Sequence, residues 1–205
     1  MEKVNVKRAE TATAENQAAV TVRGGTWLID WMIGGILISL PAILSFSIVD
    51  GKGRVFSNLY VFEAIGKSPL FTMIIGFLCL LSGFFYYVIV PWKIFPGQTL
   101  AKRWLHLEIV RLDGKALQFK DCVFRQFIFL FLIEGIATPA GNYILPMLTT
   151  MTRYYIDSYV MIVWTVVTMA TIMFLLLNKK HRALHDFAAK TTVITIQKEK
   201  DYGNN

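Results

Sequence analysis

WLIDWMIGGILISLPAILSFSIV, residues 27 to 49, is twenty-three residues long, and Asp30 is its only ionisable side chain. About 20 apolar residues cross the hydrocarbon core of a bilayer as a helix, so this stretch reads as a transmembrane span. An ionised carboxylate costs roughly 2.5 to 3.5 kcal/mol at the centre of such a helix even on lenient insertion scales, so it normally faces protein or water and has a partner. Asp30 therefore marks a candidate site.

Three further apolar runs follow: Pro69 to Trp92, Cys122 to about Ala137, and Ile156 to Leu177. The third contains Arg125 and Glu134 and is followed by Pro139, Gly141 and Pro146. It reads as a full span, a tilted span or a helix that breaks near the outer face. The expectation is an all-α membrane protein, a four-helix transmembrane bundle. Composition agrees: 55% of the 205 residues are hydrophobic and 17% charged, where a soluble domain carries about 25% charged residues. The first twenty residues hold Glu2, Lys3, Lys7, Arg8, Glu10 and Glu15 without an apolar core, so no cleaved signal peptide is expected. Residues 1–20 read as a flexible cytoplasmic N-terminus, 21–196 as the transmembrane domain and 197–205 as a polar C-terminal tail.

Lys and Arg set the orientation. Sixteen of the twenty-one lie in the N-terminal segment, the connection from Lys93 to Asp121 and the C-terminal tail, against Lys52, Arg54, Lys67 and Arg153 in the other two connections. The positive-inside rule places both termini and the long connection in the cytoplasm, as an even number of spans requires. The +7 charge then faces anionic lipid headgroups and needs no nucleic-acid partner. Within the long connection, HLEIVRLDGKALQF (106–119) alternates and turns at Asp113-Gly114, a β-hairpin signal. With the β-branched run 191–196 it is expected to make a small three-stranded cytoplasmic sheet.

Arg23 and Asp30 are seven residues apart, about two helical turns, and project from one helix face. Arg125 enters at the same end of the third run, and Asp186 stands in the tail within reach, so four charges converge on one side of the membrane. Arg23 or Arg125 is the expected partner of Asp30. Glu134 counts to roughly 18 Å beyond Cys122 at 1.5 Å per residue, near the bilayer midplane.

These residues resemble a known family. Arg23 at the start of the first helix, Asp30 within it and Asp186 in RALHDFAAKTTVI are similar to the pattern that names the RDD family of bacterial membrane proteins, and FPGQTLAKRWLHLEIVRLDGKAL resembles its second landmark. The resemblance spans about residues 20 to 196. Ala101 and Ala189 stand where the family usually has Gly, and Glu134 has no counterpart in the pattern. The resemblance implies a bacterial inner membrane location and a role in transport, with sodium/proton antiport proposed for some members.

Two readings of the charges stay open: structural ion pairs that fix helix packing, or a titrating ion or proton site. Desolvation raises a carboxylate's pKa and a nearby Arg lowers it, and the sequence does not decide between them. Arg23 and Arg125 also fit snorkelling interface anchors. His181 and His185, four apart before Asp186, read as interfacial residues and not as metal ligands. Gly34, Gly35, Ser39, Gly76 and Gly83 offer surfaces for close helix contact. Trp92, Trp104, Tyr86 and Tyr87 on one side, and Tyr143, Tyr154, Tyr155 and Tyr159 on the other, fit interfacial belts. Cys79 and Cys122 read as inert packing residues. No nucleophile–base pair, phosphate loop or zincin motif is present, so neither an enzyme nor a cofactor is expected. Movement of an ion or small solute is the leading function, cation/proton exchange its sharpest form. The alternative is a non-transporting accessory or scaffold subunit, and a homo-oligomer or a membrane partner protein is the expected association.

Overall fold

The computed structural model describes residues 18–51, 54–178 and 182–196. Helix α1 (Val20–Asp50) buries Thr26, Asp30, Gly34, Ile38, Ala42 and Phe46, one residue every four, and leaves its other faces open. That spacing is a single narrow stripe on a helix whose remaining surface suits lipid. Gly51, in the left-handed conformation with φ 63°, ends α1 by returning its N–H to the Ser47 carbonyl. A short helix α2 (Tyr60–Ala64) leads to α3 (Pro69–Phe84), opened by Pro69 and by Ser68, whose hydroxyl accepts from Phe71 N at 3.3 Å.

From Phe85 to Ile94 this helix continues in the wider π-type coil, with Phe95 N bonded to the Val90 carbonyl five residues back. Pro91, which has no N–H, lies inside the widened stretch. Small residues let α3 approach its neighbours. A Cβ on Gly34 would stand 2.2 Å from Tyr87 Oη, one on Gly83 2.8 Å from Ile38, and one on Gly76 2.6 Å from Met147. The core between α1, α3 and the later helices holds Ile38, Phe46, Phe62, Ile75, Phe131 and Tyr143. Cys79 and Cys122 are buried and free.

After α4 (Leu100–Trp104) comes strand β1 (Leu107–Arg111), paired antiparallel with β2 (Thr191–Thr195) so that Ile109 faces Val193. The expected hairpin and third strand do not form. Ile109 N donates to the Gly97 carbonyl at 2.7 Å, and the Gln98 side chain donates to the Leu107 carbonyl at 2.7 Å, so the outer edge of β1 is already occupied. The chain after Gly114 instead starts the next helix: Gln118 N donates to the Asp121 carboxylate at 2.9 Å, and Arg111 holds both Asp113 and Asp121.

The third apolar run is not one span. Helix α5 (Phe119–Cys122) and its π-type continuation Val123–Ile133 hold 4 and 11 residues, about 22 Å together and short of the ~30 Å hydrocarbon core. At Glu134 the chain leaves the helix, makes one tight turn (Gly135–Ala137) and restarts as α6 (Gly141–Thr152). Gly135 and Gly141 lie against Trp164, whose ring would meet a Cβ on Gly135 at 2.3 Å, so the break is seated under an indole only because glycine stands there. Helix α7 (Asp157–Leu177) buries only Trp164 and Thr171, and α8 (Leu184–Ala188) precedes β2.

Among the described residues three helices are long and apolar enough to cross a bilayer: Val20–Asp50, Pro69–Ile94 and Asp157–Leu177. The expected fourth is the broken α5–α6 unit. Three expected belt tyrosines are instead buried: Tyr86, Tyr87 and Tyr143 are 1%, 4% and 4% exposed, whereas Trp92, Trp104, Tyr154, Tyr155 and Tyr159 are exposed. The flexible terminus expected over 1–20 lies outside the described residues up to residue 17, as does the tail 197–205.

Candidate functional site

The charges expected from the sequence to converge do so at the end of the bundle that carries the sheet, but with different partners. Asp30, buried in α1, is held by three side chains. Tyr86 donates to Oδ1 at 2.6 Å, Thr99 to Oδ2 at 2.5 Å, and the Lys102 ammonium to Oδ2 at 2.8 Å. Tyr87 adds a bond to the Asp30 backbone carbonyl at 2.8 Å. Neither Arg23 nor Arg125 is the ion-pair partner, which corrects the expectation. Lys102 takes that place because Thr99, as N-cap of α4, brings the first turn of that helix against α1. A buried carboxylate with three donors is charge-matched and fully engaged.

Arg23 and Arg125 belong to Asp186, which is wholly buried at the start of α8. Arg23 Nη2 donates to Oδ2, Arg125 Nη2 stands 2.7 Å from Oδ1, and Ala183 N donates to Oδ2 at 3.2 Å. Burial alone would raise the Asp186 pKa, but the Arg125 and Arg23 charges outweigh it and hold the carboxyl well below the usual range. Arg182 fastens the same turn to the sheet by donating to the Asp186 carbonyl at 3.1 Å and the Thr191 carbonyl at 3.2 Å. Arg125 is not a snorkelling anchor: it is 4% exposed, and its Nε and Nη1 have no hydrogen-bond partner among the described residues.

Glu134 is buried at the helix break and is the most lightly held of the three carboxylates. Thr171 of α7 donates to Oε1 at 3.1 Å, and His185 Nδ1 lies 3.4 Å from the same atom. The His185 Nε2 atom is 3.7 Å from Asp186 Oδ1, so this imidazole stands between Glu134 and the arginine-held carboxylate. His181 lies outside the described residues. No group of three or more His, Cys, Asp or Glu able to hold a metal occurs among the described residues.

A cavity of about 480 Å³ joins these clusters. Arg23, Asp30, Lys102, Arg125, Glu134 and His185 line it, and the apolar side chains of α1 and α7 complete its walls. Such a volume lies within the range of small-molecule sites. Sequence reasoning missed Tyr86, Thr99, Lys102, Arg182 and Thr171. Only Thr99, three residues before Lys102 at a helix start, carried a local signal as a cap.

Apolar helices of spanning length around a buried set of ion pairs define an integral membrane protein. Residues 17–190 match the RDD family, and the chain belongs to it. Comparison with curated proteins and with solved structures finds no match.

Proposed function

We propose that the protein moves an ion or small solute through the cavity beside Glu134, and that Glu134 is the group that changes protonation during the cycle. The observation that carries this reading is the contrast among the three buried carboxylates. Asp30 accepts from three side chains and Asp186 answers two arginines, whereas the polar contacts of the Glu134 carboxylate among the described residues are a threonine hydroxyl and an imidazole. A carboxylate tied by several donors has little freedom to exchange its charge, and one next to a histidine can pass a proton without large rearrangement. Cation/proton exchange is the form that asks least of the site, since one carboxylate then binds either ion. The membrane is a bacterial inner membrane, with both termini and the sheet in the cytoplasm. The split of basic residues supports this, as do the sheet, α8 and α4, which all lie at one end of the helices.

The test is flux in proteoliposomes made with the purified protein. Glu134→Gln is expected to abolish proton-linked flux while expression and assembly persist. Flux that is unchanged in Glu134→Gln, or absent from the parent at every pH and with every monovalent cation, overturns the reading.

A further inference from the structure

Along α1 and α7 the cavity is lined by side chains that are also exposed on the outside of the protein. Trp27 of α1 and Met169 and Leu176 of α7 line it and are 46%, 57% and 58% exposed, so the same side chains face the cavity and the outer surface of the bundle. These two helices both belong to the set long enough and apolar enough to cross a membrane, so in a bilayer acyl chains would lie against this exposed surface, beside the cavity. An aqueous solute would meet mostly apolar walls on this side, formed by Ile172, Leu175 and Leu176.

The inner end has the opposite chemistry. Arg23, Lys102 and Arg125 line it together with the carboxylates Asp30 and Glu134, and Arg125, whose Nη2 stands 2.7 Å from Asp186 Oδ1, is a buried guanidinium whose Nε and Nη1 have no acceptor among the described residues, just as Asp186 Oδ1 has no hydrogen-bond donor among them. Buried donors of this kind are rare because each forfeits its hydrogen bonds to water. A guanidinium fork also matches the planar or tetrahedral oxygens of a carboxylate or phosphate. Thr138, which lines the cavity too, has a buried hydroxyl without a hydrogen-bond partner among the described residues. An apolar wall beside the acyl chains leading to unsatisfied donors at one end is the shape and polarity of a molecule with a hydrocarbon tail and an anionic head.

We infer that the cavity takes an anionic amphiphile from the bilayer, its phosphate or carboxylate head at Arg125 and its chain along Ile172 and Leu175. The ligand slides in between α1 and α7 and supplies the acceptors that Arg125 lacks, while the tail replaces lipid against the α7 wall. This occupancy uses the same cavity as the proposed transport but does not rest on it, because binding is read without flux.

The experiment is equilibrium binding of radiolabelled dodecyl phosphate to the full chain purified in a neutral maltoside detergent, with labelled inorganic phosphate and dodecanol as comparators. One saturable site per chain is expected for dodecyl phosphate, with each comparator about tenfold weaker or more, because each lacks either the tail or the charge-assisted bonds. Arg125→Lys keeps a cation opposite Asp186 and removes the fork, and Leu175→Trp fills the tail channel far from the charges. Each is expected to weaken dodecyl phosphate binding about tenfold. Inorganic phosphate binding as tightly as the alkyl phosphate would show a free-anion site and overturn the inference. Dodecanol binding equally well would show a purely apolar groove and overturn it too. Should Arg125→Lys fail to fold, the comparators on the parent and the Leu175→Trp result still decide, and an unchanged affinity in Leu175→Trp refutes the placement of the tail.

Discussion

Replacing Asp186 by Asn removes the carboxylate that Arg23 and Arg125 share at the point where the tail meets the helices. Arg23 stands near the start of α1, with a side chain 10% exposed, and can turn toward the interface. Arg125 cannot: it is buried within the α5 continuation, Nε and Nη1 already have no hydrogen-bond partner among the described residues, and Nη2 has Asp186 as its ion-pair partner. Removing one member of a buried pair costs about 3–5 kcal/mol. With one arginine able to relocate and one not, about 4 kcal/mol is expected, roughly a thousandfold in the folding equilibrium. Unfolding of the purified protein in mixed micelles measures it. Arg125→Met in the Asp186→Asn background is expected to recover a large part of the loss, because the uncompensated buried charge is gone.

The pH dependence has a definite sign. Asp186 has a folded pKa below its unfolded value of about 3.9, so its stabilisation is present above that value and is lost as pH falls below it toward the folded pKa. The difference between parent and Asp186→Asn should therefore shrink as pH falls below about 4. A cost under about 1 kcal/mol, the level of an exposed pair, would refute the reasoning.

Asp30→Asn removes the charge that Lys102 pairs with and leaves three donors around one weaker acceptor. A loss of about 1–3 kcal/mol is expected, with reduced membrane abundance, and a variant as stable as the parent in the same micelle assay counts against the network. Gly34→Ala places a methyl group on the Tyr87 ring and should cost about 1–3 kcal/mol by overpacking, whereas Gly24→Ala, with open space at its Cβ, should be near neutral; equal effects would contradict the helix contact. Cysteine introduced at Lys115 should resist a membrane-impermeant thiol reagent in intact cells while one at Asn58 reacts, and labelling of Lys115 from outside would reverse the proposed topology.

What the chain reveals by itself is set by local physics. The first, second and last apolar runs are helices of spanning length in the structure because about 20 uninterrupted apolar residues suffice for a helix in hydrocarbon, whatever surrounds it. The same reasoning singled out Arg23, Asp30, Arg125 and Glu134, since a charge in or beside such a run demands a partner, while Asp186 came from its place in the tail and from the family pattern, and all five are buried or pair there. Which partner each takes is not local. Lys102 reaches Asp30 across 72 positions of sequence and Arg23 reaches Asp186 across 163, so the choice depends on which side chains arrive at the same depth once α4 and α8 have docked. Tyr86 and Tyr87 read as interfacial because an aromatic with a polar tip suits a membrane surface equally well, whereas in the fold Tyr86 turns in to bond the Asp30 carboxylate and Tyr87 packs on Gly34 and bonds the Asp30 carbonyl. The hairpin failed for the same reason: the turn signal at Asp113-Gly114 was real, but Gly97 and Gln98 had already taken the edge of β1 that a returning strand needs. Likewise the break at Glu134 rests on Trp164 seating over two glycines from a different helix. Burial costs are properties of a segment, whereas hydrogen-bond partners and sheet edges are properties of what else has already occupied the space.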